Sequence, residues 1–234
     1  MASTRTGPTR RRVLAAGSAL IAGAVGGLVA TSCGDDPAAG SSDVRIAGST
    51  VHLIDRAPRG RADGVVLFLH GGSYTSADWD RLGLLDDVVG AGWRTVAIDL
   101  PGAGGSDPTN LSPPDFLGAV VDHLGADPVI VSPSASGTYS LPFVAAHADR
   151  VRGYVPVAPV GAAAFRLSEG VDPPPTLVVW GSDDALFSPS IAPRLAEQLH
   201  GRAEIIRGAG HSAYEDDTPR FRHLLSGFLA GLSR

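Results

Sequence analysis

The chain contains no lysine; all 19 of its basic residues are arginine. That reads as compositional bias, because nothing in catalysis demands it. Cysteine is almost absent too: Cys33 stands alone, which excludes an internal disulfide, and no Cys/His cluster has zinc-site spacing. Charge is sparse, at 18% of residues, and the formal balance of −5 with no basic stripe excludes a typical nucleic-acid binder. No internal repeat is evident. What is present is a chain of 234 residues, 44% hydrophobic, long enough for one globular domain with a sizeable core. No cofactor and no metal is expected.

The first 12 residues carry four arginines and no acid, and an apolar, small-residue run follows to Cys33. That is the layout of an export signal. Thr9-Arg10-Arg11-Arg12-Val13-Leu14 fits a twin-arginine signal. Ala30-Thr31-Ser32-Cys33 resembles the lipobox of bacterial lipoproteins, with Ala30 where Leu or Val is usual. The expectation is an export signal over 1–32, a lipid anchor on Cys33 and a location in the cell envelope outside the cytoplasmic membrane. A membrane-spanning anchor or a simply cleaved signal and secretion are the alternatives. Residues 33–43 read as a flexible polar tether. With 1–32 set aside, four arginines are lost and the formal charge goes from −5 to −9. Such a domain would be held at a membrane by lipid rather than by attraction to anionic headgroups.

From residue 44 to 234, apolar runs alternate with helical patterns. A hairpin is expected over 44–47 and 51–55. Buried strands are expected at 65–69, 95–98, 128–131, 153–157 and 177–180, with a last strand at 204–206. Helices are expected from Asp78 through Val88, near 114–124, over 135–147, over 191–199 and over 219–232. This order implies an α/β fold with a mostly parallel, doubly wound sheet. Ligands then bind at the carboxyl ends of the strands. Between the strands near Ala158 and Thr176 only residues 159–175 intervene, room for one short helix and not for a cap domain.

The stretch VIVSPSASGTYSLPF, 129–143, ends a buried strand at a serine-rich turn. A nucleophile elbow needs small residues two before and two after its serine, and a backbone N–H just after it for the developing oxyanion. Ser132 fails: Ile130 is bulky, and Pro133 has no N–H. Ser136 would place β-branched Thr138 at a crowded position, and Ser140 lies inside the helix pattern. Ser134 passes, flanked by Ser132 and Ser136 and followed by Ala135. Ser132 takes the place usually held by glycine.

A triad on such a sheet runs Ser, Asp or Glu, then His. Asp183 and Asp184 follow the strand ending at Trp180, and His211 follows the last strand. The expected catalytic residues are therefore Ser134, Asp184 and His211. Asp184 is favoured by the G-x-x-D spacing in W-G-S-D-D, with Asp183 as the alternative. Backbone N–H groups of Gly72 and Ala135 are the expected oxyanion donors. His70 is assigned to shaping the loop around Gly71-Gly72, and Asp99 to a structural turn. Tyr74, Tyr139, Phe165 and Phe187 are pocket-lining candidates or ordinary core.

LHGGSYTSADW, VAIDLPGAGGSD, VSPSASGTYSLPF, VPVAPV and GAGHSAY, in that order, resemble the α/β-hydrolase superfamily and within it the α/β-hydrolase domain-containing protein 14 family. The resemblance covers 44–234 and includes the serine in place of the elbow's first glycine. It implies a small, capless serine hydrolase acting on a small acyl-containing substrate. Protein-lysine deacetylation with transfer to coenzyme A is associated with a mammalian member. An exported chain meets little coenzyme A, so water is the expected acceptor here. Acyl transfer or perhydrolysis at the same site, and a non-catalytic surface-binding role on the same fold, are the rival readings.

Overall fold

The computed structural model describes residues 39–233. Cys33, the export signal expected over 1–32 and the first part of the expected tether lie outside them. Eight strands form one sheet in the order β1-β2-β4-β3-β5-β6-β7-β8. β1 (Ala39–Ile46) and β2 (Ser49–Arg56) are an antiparallel hairpin in which Ile46 faces Ser49. Its two-residue turn has positive φ at both Ala47 (47°) and Gly48 (88°), the backbone that matches strand twist. β1 begins five residues earlier than the expected Val44. The residues before it read as a tether because Gly40–Asp43, on an edge strand, are exposed and show no apolar alternation.

The remaining strands, β3 (Val65–Phe68), β4 (Arg94–Ile98), β5 (Val129–Pro133), β6 (Gly153–Val157), β7 (Leu177–Gly181) and β8 (Arg202–Ile206), run parallel to one another. β2 joins them through antiparallel pairing with β4. Successive strand residues alternate between two cores. Leu67, Val96, Ile98 and Ile130 pack on one face under α3 (Pro113–Leu124), α4 (Gly137–Ala146) and α5 (Ile191–Gln198), through Phe116, Phe143 and Leu195 among others. Val66, Phe68, Ala97 and Val131 pack on the other under α1 (Ser76–Arg81), α2 (Leu84–Gly90), the short α6 (Ala213–Asp216) and α7 (Thr218–Leu232), through Trp79, Leu85, Tyr214 and Phe221. Burial on both faces is why β3, β5, β6 and β7 read as nearly continuous apolar runs, while the edge strand β8 is exposed or half-buried except at Ile206.

Local signals set the helix ends. Ser112 accepts the Asp115 N–H, with Pro113 and Pro114 in the first turn of α3 and Gly125 (φ 64°) closing it. Asp217 accepts the Arg220 N–H at the start of α7. The single helix expected from Asp78 is instead two, broken at Gly83, whose φ of 72° no continuing helix allows. Asp78 sits inside α1 and accepts the Thr75 N–H at 2.9 Å. A short 3₁₀ turn, Ser134–Ser136, precedes α4. The described residues 158–176 contain turns and one bridge but no α-helix, so the short helix allowed there is not formed and no cap covers the sheet edge.

The chain leaves β3 toward β4 on one side and returns to β5 on the other. That reversal opens a crevice at the carboxyl ends of β3 and β5.

Candidate active site

Ser134 stands at the end of β5, with a φ of 48°. L-residues disfavour this left-handed conformation, and a surrounding structure must hold it. Close packing explains the small residues after it. The Ser134 carbonyl accepts the Val160 N–H at 2.8 Å, and a Cβ on Gly137 would lie 2.6 Å from Pro159 Cβ and from the Val160 carbonyl oxygen. Ser136 is fully buried. The turn thus holds Ser134 half-buried at the crevice while Ser132, Ser136 and Ser140 are buried beneath it.

The loops after β7 and β8 supply the other two groups. Gly181 ends β7 so close to the 209–210 backbone that a side chain there would overlap the Gly210 carbonyl oxygen. Ser182 N–H donates to Ile206 O (2.9 Å), Asp183 N–H to Ala209 O (2.9 Å) and Gly208 N–H to Ser182 Oγ (2.8 Å). These bonds lace the two loops together. Across them His211 Nδ1 lies 2.9 Å from Asp184 Oδ2, and His211 Nε2 lies 2.8 Å from Ser134 Oγ. The carboxylate accepts only, so Nδ1 carries the proton and Nε2 is free to accept from the serine.

Asp184 Oδ1 accepts the N–H groups of Leu186 (2.8 Å) and Phe187 (3.0 Å), and its side chain is wholly inaccessible to solvent. Burial pushes this carboxyl up. The Phe187 N–H, His211 and the Leu186 N–H outweigh burial and leave it below the usual aspartate range. It therefore stays ionised beside His211. Asp183 is exposed and accepts from Ser182 Oγ at 2.6 Å, away from the histidine. The Phe187 ring stands edge-on to His211 at 5.2 Å, held by the Trp180 Nε1 bond to the Phe187 carbonyl at 3.0 Å.

The loop after β3 runs beside the serine. A Cβ on Gly71 would lie 3.6 Å from Ser134 Cβ, and one on Gly72 would lie 3.6 Å from Ala135 Cβ. The two peptides expected to bind an oxyanion are thus neighbours. His70 shapes this loop. Its Nε2 accepts the Leu100 N–H (2.8 Å), so Nδ1 holds the proton and donates to the Gly71 carbonyl (2.7 Å). Burial holds the His70 pKa below its usual value, against the raising effects of the Gly71 bond and of Asp99 and Asp78. Asp99 accepts Ser76 N–H (2.7 Å) and Gly105 N–H (2.8 Å), tying the loop after β3 to the turn after β4. Tyr74 OH lies 3.0 Å from Ser212 Oγ, joining that loop to the one that carries His211.

Of the pocket-lining candidates, Phe187 and Tyr74 adjoin the site. Phe165 and Tyr139 pack against the core, Tyr139 edge-on to Phe116 at 6.1 Å. The backbone clamp on Asp184 and the Tyr74–Ser212 link escape sequence reading, because neither follows from a residue-type pattern. Among the described residues no cluster of three His, Cys, Asp or Glu side chains could hold a metal ion.

The profile of the alpha/beta hydrolase fold family matches residues 64–173. Human ABHD14B, named a candidate protein-lysine deacylase, is 37% identical over 199 residues, covering 81% of this chain and 94% of its own. Mouse ABHD14A is 34% identical over 171 residues, covering 70% of this chain and 69% of its own. Among solved structures, a predicted CIB-like hydrolase from Thermoplasma acidophilum superposes with a TM-score of 0.75 at 24% identity, over 83% of this chain and 99% of that one. Carboxylesterase CesB from Bacillus subtilis superposes at 0.66 with 18% identity, over 82% and 92%. With the eight-stranded sheet, the uncapped edge and relatives this similar over most of the chain, the protein belongs to the α/β-hydrolase fold family and, within it, to the ABHD14 group.

Proposed function

We propose that this protein is a serine hydrolase that cleaves short acyl esters through an acyl-enzyme on Ser134. The observation that carries the reading is the unbroken line from Asp184 Oδ2 through His211 to Ser134 Oγ, with links of 2.9 and 2.8 Å. Ser134 Oγ attacks the acyl carbonyl carbon while His211 Nε2 takes its proton. Asp184 holds the histidine tautomer and stabilises the imidazolium. The Gly72 and Ala135 N–H groups bind the oxyanion. Collapse of the tetrahedral adduct breaks the bond to the leaving group, which takes the proton from His211. Water then attacks the ester on Ser134, His211 takes its proton, and the carboxylic acid leaves as the Ser134 hydroxyl is restored. The uncapped edge favours short acyl groups, which need no enclosing lid. Ser134→Ala should lower p-nitrophenyl acetate turnover by about 10⁴-fold or more, and wild-type turnover in that variant would falsify the assignment.

The name of the mammalian relative supports a second substrate class at the same site, acylated lysine side chains. The open mouth suits a side chain presented by another protein. Release of acetate from an acetyl-lysine peptide, with and without an added thiol acceptor, separates amide hydrolysis from transfer. We further propose that residues 1–32 direct export and that Cys33 carries a lipid anchor. The mass of the mature N-terminus tests this: an unmodified residue other than Cys33 at that end refutes it.

A further inference from the structure

Three serines of the elbow segment take no part in the proposed chemistry, yet Ser132, Ser136 and Ser140 are all fully buried, as is Tyr154 on β6. Their hydroxyls form one line. Ser136 Oγ lies 2.7 Å from the Pro133 carbonyl oxygen and 2.9 Å from Ser132 Oγ. Ser132 Oγ lies 2.7 Å from Ser140 Oγ, which lies 2.7 Å from Tyr154 OH. The carbonyl can only accept, so Ser136 spends its proton there. Ser132 then donates to Ser136, Ser140 to Ser132, and Tyr154 to Ser140. One direction satisfies every member, and among the described residues no buried side-chain polar atom lacks a partner.

The end of this line is the oxygen of the peptide that enters Ser134. That peptide plane sets where the chain goes at φ 48°, and hence where Oγ points. A buried chain of hydroxyls aligned in one sense strengthens each of its bonds. The usual G-x-S-x-G elbow has no hydroxyl at the first glycine position, so it lacks the central link that Ser132 provides here.

We propose that Tyr154, Ser140, Ser132 and Ser136 form a positioning relay that clamps the Pro133–Ser134 peptide and holds Ser134 Oγ on His211 Nε2. The line crosses from β6, through α4 and β5, to the elbow, so it ties the nucleophile's backbone to the sheet core rather than to its own turn alone. The relay rests on the reading of Ser134 as the nucleophile. Its members are positioning residues and touch no substrate.

The test measures kcat and KM for p-nitrophenyl acetate, the rate of Ser134 labelling by a fluorophosphonate, and thermal stability. Ser136→Ala should lower kcat and labelling by about tenfold, equivalent to about 1.4 kcal/mol, with KM within about twofold. Ser132→Ala should follow closely. Tyr154→Phe, farthest from Pro133, should cost about two- to threefold in kcat. Adding it to Ser136→Ala should cost no further activity, because the last link is already gone. Ser140→Thr, which keeps the hydroxyl, should restore most of what Ser140→Ala loses. A packing role alone predicts losses that track stability and ignore this order. Wild-type kcat and labelling in folded Ser136→Ala and Ser132→Ala overturn the relay. If those variants do not fold, Ser132→Gly decides: about a fivefold loss supports the relay and a wild-type rate overturns it. An unlabelled wild-type protein overturns the hydrolase reading and the relay with it, whereas a labelled wild type with unchanged variants overturns the relay alone.

Discussion

Gly181 and Gly210 meet so closely that any side chain at 181 would overlap the Gly210 carbonyl oxygen. This approach brings the loop after β7, which carries Asp184, against the loop that carries His211. Gly181→Ala should push the two loops apart. The expected result is a fall in kcat of about 100-fold, from displacement of His211, with a lower thermal midpoint. Steady-state kinetics and a melting curve on the same preparation check it.

The two adjacent aspartates should behave differently. Asp184→Asn leaves a shape-matched side chain but removes the charge and the tautomer control, and kcat should fall by about 10⁴-fold. Asp183→Asn changes an exposed group and should leave kcat within about twofold. Comparable losses in both would overturn the assignment.

Asp99 serves the scaffold rather than the chemistry. Asp99→Ala strands the Ser76 and Gly105 N–H groups. The expected cost is about 2–4 kcal/mol, read as a lower urea midpoint with unchanged slope. A Cβ at Gly104 would also overlap the Asp99 carboxylate, so Gly104→Ala should destabilise through the same contact.

Acid should weaken the fold in two steps. His70 is held neutral, with its pKa below the ordinary histidine value. As pH falls below about 6.5, the unfolded chain takes up that proton first and stability declines until the folded pKa is passed. Asp184 is lowered by hydrogen bonding to Phe187, His211 and Leu186 against burial. For Asp99, burial raises the carboxyl, and the Ser76 and Gly105 N–H groups outweigh it and lower it. Their stabilisation is complete above the ordinary aspartate pKa of about 3.9 and is lost as pH falls through their folded values. Urea midpoints between pH 8 and pH 3 should show both declines, and His70→Gln should remove the first.

The succession of strands and helices along the chain, and the strand ends that carry the candidate site, were legible because they rest on local patterns. VVLF and VIV are apolar without alternation, which only a strand buried on both faces requires. That Ser134 is the serine facing His211 was legible by elimination: Pro133 has no N–H after Ser132, Thr138 crowds Ser136, and Ser140 lies inside the helix pattern. Less was legible where context overrides pattern. β1 runs through Gly-Ser-Ser-Asp because its partner strand, not its own side chains, recruits it. The helix after Thr75 breaks at Gly83, where a lone glycine inside an amphipathic pattern reads as tolerated.

By itself the sequence determined the kind of sheet, the serine at the elbow and the chain order of three candidate groups, because steric and hydrogen-bonding limits act on neighbouring residues. Only the tertiary structure decided that Asp184 rather than Asp183 meets His211, and that Ser132, Ser136 and Ser140 join Tyr154 in one buried line. Those pairings cross from strand to strand, and their geometry is set by how closely backbones pack, which no local pattern records.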